Sequence, residues 1–413
     1  MEMLPSYTPE VLPGYELTPT TSIASSSRPN SPISQSRTSY HYRSERMDLD
    51  LGPRKWGTRL PAYGKGGVIE GTVKVRTFKH VDRVVVSLLG KLSVSHVLNQ
   101  IPTLSQSHMI VNKTIELWTS GDPSSSNAPT KDDFQFSFSL EANDVVAHCL
   151  PASTSVQLPR AQAYVAYIIR VDMYRRGAHM HETLQTEILY LPRTISHYCR
   201  PFIPETGNEK RPQISESEWH TAEFRLERAK TSSMSGSGPK PELRTSSHPK
   251  DEKVPKLWLP RNLRYPSGHS IPFMLSLPTA LARPSSTIEW SLEVQLVRVS
   301  TVQTRAGAVQ QASVVSRGHI QPSPEHGPVT TLTGAIDTGG AEKESSWSFE
   351  SVVSISYEIR ATLGSTTAGS VWKLTQGVEL TSHEWRGEQA AQIPSLGSTV
   401  VSRTGANIVH INF

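Results

Sequence analysis

The chain has 413 residues, enough for two or three domains of ordinary size. Hydrophobic residues make up only 36%, beside 26 glycines and 30 prolines, so the figure averages folded parts with sizeable disordered ones. The net charge of +5 is scattered among acids rather than gathered in one stripe, which argues against a nucleic-acid binder. A solvated surface is the first reading of that charge, and weak attraction to an anionic membrane surface the second.

Residues 1–55 are rich in Ser, Thr, Pro and Arg and cannot bury enough apolar area to offset their chain entropy, so disorder is expected. The first residues lack the basic and apolar regions of a signal peptide. From Leu60 the pattern changes to period two. Val73 and Val75 alternate with Thr72 and Lys74, and Val84, Val86 and Leu88 form a second set. Phe134, Phe136 and Phe138 follow, then Val165, Tyr167, Ile169, Val171 and Met173. Alternation places every second side chain on one face, the mark of a half-buried strand. Polar Gly, Pro and Ser clusters such as 121–129 separate these runs. The first domain is expected over 56–204. Its apolar runs, such as Val84 to Leu89, are too short to cross a bilayer.

A second domain is expected over 212–385. Ala222, Phe224 and Leu226 alternate after Trp219, which favours an opening strand over a short helix. A flexible insertion is expected over 229–253. Trp290, Leu292, Val294 and Leu296 oppose polar neighbours, as do Val353, Ile355, Tyr357 and Ile359. Strand boundaries between 301 and 345 are not set by the pattern, and 386–413 is assigned as a C-terminal tail. Many short strands with polar loops mean an all-β fold, a sandwich or a barrel. An internal repeat supports two similar domains. Tyr63, Gly66 and Ile69 match Tyr265, Gly268 and Ile271 as Tyr-x-x-Gly-x-x-Ile, each copy opening a strand.

The sharpest chemical signal lies in the tail. Leu4-Pro5-Ser6-Tyr7 and Leu12-Pro13-Gly14-Tyr15 present a proline-stiffened segment with an aromatic ring at fixed reach. WW domains grip such segments between aromatic side chains, and two copies could engage tandem domains. The competing reading is a chance meeting of Pro and Tyr, and Leu in place of the first Pro weakens the match. Leu60-Pro61-Ala62-Tyr63 has the same lettering but runs into a strand, so its expected role is structural. Ser31, Ser36, Thr38 and Ser39 are candidate phosphorylation sites. Arg170, Arg175 and Arg176 form a basic group: a solvated sheet face first, and a docking surface for acidic cargo tails second.

No catalytic residue is assigned, because the sequence holds no Gly-x-Ser-x-Gly elbow, catalytic-cysteine signature or phosphate loop. No metal or cofactor is expected. His179-Met180-His181 is read as a strand end, and the lone cysteines Cys149 and Cys199 point to a reducing compartment.

Residues 60–73, Tyr164 to Val171 with Arg175-Arg176-Gly177, and Leu189 to Thr194 resemble segments of the arrestin-like family, especially the fungal alpha-arrestins. In the second half, Tyr265 to Leu277 and Ser345 to Leu363 are similar to its second-domain pattern. The resemblance covers roughly 55–385. It implies two tandem immunoglobulin-like (arrestin-type) β-sandwiches and adaptor work: linking the cytosolic tails of membrane proteins to the WW domains of a HECT-type ubiquitin ligase for endocytic sorting. The chain would then be cytoplasmic, recruited to plasma membrane or endosomes, with peripheral membrane contact only. The resemblance also extends to a structural subunit of a retromer-like coat, the alternative reading. The Pro-Pro-x-Tyr that many alpha-arrestins carry after the second domain is absent from this sequence.

Overall fold

The computed structural model describes residues 38–99, 101–120, 132–141, 150–177, 181–197, 217–228, 254–278, 290–321, 329–365, 370–385 and 392–397. The described secondary structure is all β. In the first half the strands are β1 (Ser39–Arg43), β2 (Met47–Pro53), β3 (Ala62–Tyr63), β4 (Val68–Val75), β5 (Val81–Leu98) and β6 (Ile101–Thr119). β7 (Asp133–Ser139), β8 (Thr154–Leu158), β9 (Ala161–Arg175), β10 (Glu182–Tyr190) and β11 (Ile195–Ser196) complete it. The second half holds β12 (Trp219–Glu223), β13 (Arg225–Arg228), β14 (Lys256–Pro260), β15 (Arg264–Pro266), β16 (Ser270–Pro278) and β17 (Trp290–Thr304). It continues with β18 (Gly307–Arg317), β19 (His319–Gln321), β20 (Val329–Asp337), β21 (Trp347–Phe349), β22 (Val353–Ser365), β23 (Ser370–Thr381) and β24 (His383–Glu384).

Pairing follows the period-two faces. One sheet runs β1-β2-β4-β7 and a second β3-β10-β9-β5-β6, with β8 on β9. Ile69, Val73 and Phe136 from the first sheet, and Leu88, Ile169 and Met173 from the second, are buried in one shared core. Polar residues take the alternate positions, as in antiparallel sandwiches. The second half repeats the order: β12-β14-β16-β20-β19, and β13-β23-β22-β17-β18 with β21 on β22 and β15 on β23.

The repeated motif has the same geometry in both halves. β3 pairs in parallel with β10, joining Tyr63 to Tyr190, and β15 pairs in parallel with β23, joining Tyr265 to Leu380. The chain then turns through Gly66 (φ +67°) or Gly268 (φ +80°), a left-handed backbone that glycine adopts without a steric penalty. It enters the opposite sheet with Ile69 or Ile271 fully buried. A short parallel strand, a left-handed turn and a sheet switch are thus encoded twice by one Tyr-x-x-Gly-x-x-Ile pattern.

Three expectations need correction. The segment assigned to a disordered tail through residue 55 contains β1 and β2. Met47, Leu49 and Leu51 alternate there with Asp48 and Asp50, and all three apolar side chains are buried. Composition averaged over the Ser/Pro-rich neighbours hides this short period-two run. Trp219 to Arg228 is not one strand either. β12 pairs β14 and β13 pairs β23, so the chain changes sheets at the buried Phe224. The C-terminal tail assigned from 386 onward includes a short ordered segment, 392–397, anchored to both halves. The insertion over 229–253 lies outside the described residues.

Candidate functional site

The densest polar cluster joins the two halves. β11 closes the first half and pairs in parallel with β24, the last strand of the second. Side-chain hydroxyls flank this short ladder. Ser382 Oγ accepts from the Thr194 N–H at 3.0 Å and donates to the Thr194 carbonyl at 3.2 Å. Thr381 Oγ1 donates to Ser196 Oγ at 2.9 Å, and Thr194 Oγ1 lies 2.9 Å from Ser345 Oγ. Both Thr381 and Ser196 are fully buried, so these bonds satisfy groups that water cannot reach.

Residues 392–397 strap across the same junction. The Ser395 N–H donates to the Leu191 carbonyl of the first half at 2.9 Å. The Gly397 N–H donates to Glu342 Oε2 of the second half at 3.0 Å. Leu396, like Leu60, packs on the cluster of Ala62, Leu189 and Leu191. Glu342 is the hub: its Oε1 lies 2.8 Å from His383 Nε2, whose Nδ1 lies 2.8 Å from Ser382 Oγ. Burial pushes the Glu342 carboxyl up, but the Gly397 N–H, His383 and Arg193 outweigh it and hold the group below its usual range. The strap and the hydroxyl ladder fix one half to the other. Sequence patterning misses them because Thr194, Ser382 and Glu342 belong to no period.

Of the basic group, Arg170 lies on the outer face of the β9–β10 sheet, Arg175 ends β9 on the alternate face and Arg176 follows the strand. Arg170, Asp172 and Tyr174 alternate along β9 and so share that face. Asp172 sits under them with 6% exposure and takes Arg170 Nε at 2.9 Å, Thr183 Oγ1 at 2.8 Å and His181 Nε2 at 3.0 Å. His181 stacks on Tyr174 at 4.6 Å, and the Arg83 guanidinium lies over the same ring at 4.5 Å. Arg176 pairs instead with Asp82 at 2.9 Å. The three arginines therefore do not converge: two carry acidic partners, and Arg175 holds a buried Nε without a hydrogen-bond partner among the described atoms.

A second charged knot ties the β1–β2 turn to the sheet. Asp48 accepts from Arg76 at 2.8 Å and from Arg43 at 2.7 Å. Arg76, then Arg43, hold its carboxyl at about 2, although burial opposes them. Glu182 next to it accepts from Ser44 Oγ at 2.6 Å.

Leu4, Pro5, Tyr7, Leu12, Pro13 and Tyr15 lie outside the described residues, as do Ser31, Ser36, His179, Met180, Cys149 and Cys199. Thr38 is exposed and Ser39 is half-buried at the start of β1. Leu60-Pro61-Ala62-Tyr63 leads into β3. Among the described residues no cluster of three or more His, Cys, Asp or Glu has a metal-holding arrangement, and no helix is long and apolar enough to cross a membrane. Comparison with protein-family models gives no match, and neither does comparison with curated proteins.

Proposed function

We propose that this chain is a non-catalytic arrestin-like adaptor, built from two tandem arrestin-type sandwiches, that links membrane cargo to a HECT-type ubiquitin ligase. The observation that carries the reading is the repeated pairing order, with the same Tyr-x-x-Gly-x-x-Ile turn opening each half. The resemblance of residues 55–385 to alpha-arrestins rests on both copies of that turn together with Tyr164 to Gly177, Leu189 to Thr194 and Ser345 to Leu363. The junction supports a scaffold that holds two surfaces in fixed relation, which suits bringing a ligase to a cargo. The N-terminal Leu-Pro-x-Tyr motifs are the ligase-binding element. Arg170 on the outer face of β9 is the contact for acidic or phosphorylated cargo tails, which compete there with Asp172.

The test is a titration of a labelled peptide of residues 1–20 with tandem WW domains of a HECT ligase. Binding at roughly micromolar strength, lost in the Tyr7→Ala/Tyr15→Ala peptide, supports the reading. No binding, or binding unchanged by the substitutions, removes the ligase link.

A further inference from the structure

β5 and β6 form a long hairpin whose far end carries an uncommon surface. Leu98, Ile101 and Leu104 are 59%, 64% and 56% exposed. Leu98 and Ile101 are directly paired in the ladder, so they share one face, and Leu104 follows three residues on. Isolated exposed apolar residues are ordinary, but three large ones at one tip are not. Asn99 and Leu104 both adopt positive φ (50° and 48°), a conformation that a leucine adopts only at a cost of order 1 kcal/mol.

Charge at this end is one-sided. No Asp or Glu occurs from Arg83 to Ile115, which covers nearly the whole hairpin, while Lys91, His96, His108 and Lys113 do. The neighbouring strands agree: from Leu150 to Val171 there is again no acid. The β8–β9 turn reaches the tip, where the Val97 N–H donates to the Arg160 carbonyl at 2.8 Å and Arg160 is exposed. From the second half, the Gln303 carbonyl accepts from Gln106 Nε2 at 3.3 Å, and the exposed Arg305 follows two residues later. Of the sheet's carboxylates, Glu116 and Asp172 both lie opposite Val85, three residues beyond Asp82 and far from the tip, and Glu187 lies mid-sheet opposite Ile168.

We propose that the β5–β6 tip, with Arg160 and Arg305 beside it, docks on an anionic lipid surface. Leu98, Ile101 and Leu104 enter the boundary between headgroups and acyl chains, and the flanking arginines meet lipid phosphates and carboxylates. The apolar side chains supply area-proportional affinity, and the basic residues supply a salt-sensitive share that selects anionic lipid. The exposed Leu98, Ile101 and Leu104 set the orientation, because at the other end Asp82, Glu116 and Asp172 lie among Arg83, Arg170, Arg175 and Arg176 and the charge is mixed. The inference does not depend on the Leu-Pro-x-Tyr motifs.

Co-sedimentation of the full chain with vesicles tests it. Phosphatidylcholine vesicles with phosphatidylserine should carry the chain down, and vesicles of phosphatidylcholine alone should carry much less. Binding should weaken as salt rises. Leu98→Ser/Ile101→Ser/Leu104→Ser should lower partitioning by at least about tenfold, since each lost side chain removes area buried in the membrane. Leu226→Ser, at an exposed leucine on β13, should leave it unchanged. Unchanged circular dichroism of the triple variant keeps the comparison valid, because all three leave exposed positions. Failure of the wild-type chain to bind anionic vesicles, or equal binding by the triple variant, overturns the proposal. So does a concentration-dependent dimer that the triple variant disperses, with no vesicle binding, which would assign the tip to a second copy of the chain.

Discussion

Gly66→Ala and Gly268→Ala form a matched pair, because the two glycines occupy one position of the repeated turn. Each has a left-handed backbone, φ +67° and +80°, which costs an alanine about 1 kcal/mol in either case. Their surroundings differ. A Cβ on Gly66 would meet only Glu141 Oε1, at 3.9 Å. A Cβ on Gly268 would lie 2.7 Å from Ala341 Cα, 2.8 Å from its Cβ and 3.0 Å from its N. Two of those atoms are backbone, so the 338–342 loop must shift, and overpacking of that kind adds about 1–3 kcal/mol. Gly66→Ala should therefore cost about 1 kcal/mol and Gly268→Ala about 2–4 kcal/mol. Ala341→Gly in the second background should recover little, because Cα and N remain in contact. Guanidinium denaturation followed by tryptophan fluorescence reads both as midpoint shifts at constant slope. Equal losses, or a larger loss at Gly66, would refute the placement of Gly268 against Ala341.

Asp48 makes the fold acid-sensitive. A carboxyl held at about 2 against an ordinary 3.8 contributes stability that is complete above about pH 4 and is lost as pH falls toward 2. Asp48→Asn should cost about 1 kcal/mol at neutral pH, after allowing for solvent around the arginines, and should flatten that acid limb in thermal melts. Glu342→Ala should free the strap: amide exchange over 392–397 should speed up roughly 5–30-fold, the effect of losing one or two kcal/mol of charged hydrogen bonding. Exchange that stays at the wild-type rate would mean that Leu396 and the Leu191 carbonyl hold the strap without Glu342.

Much of the sheet structure was legible. Val165 to Met173 and Val353 to Ala361 alternate over whole strands, and the structure places them at the centres of β9 and β22 with their apolar faces buried. The Tyr-x-x-Gly-x-x-Ile repeat was legible because it needs a particular residue at each step: a ring, a left-handed glycine and a core isoleucine. Short runs in biased neighbourhoods were not. Met47, Leu49 and Leu51 carry the right alternation but are surrounded by Ser, Arg and Asp. Between 301 and 345, seven of the eleven residues of β18 are exposed, and Val309 and Val315 touch the core with the exposed Val314 between them, so no clean period of two runs along the strand. The junction is least legible of all. Hydroxyl contacts between Thr194 and Ser382 join residues 188 positions apart, and nothing local marks either residue. The basic group was legible as composition, but its pairing with Asp172 and Asp82 depends on register across three strands.

The most direct test of the adaptor account is a reconstituted reaction on vesicles: a HECT ligase with tandem WW domains, a membrane protein with an acidic cytosolic tail, and this chain. The account predicts that the wild-type chain raises ubiquitin transfer to the cargo and that Tyr7→Ala/Tyr15→Ala abolishes the gain while the folded chain stays intact. Transfer that is indifferent to the chain, or that the double variant supports as well as wild type, would contradict it.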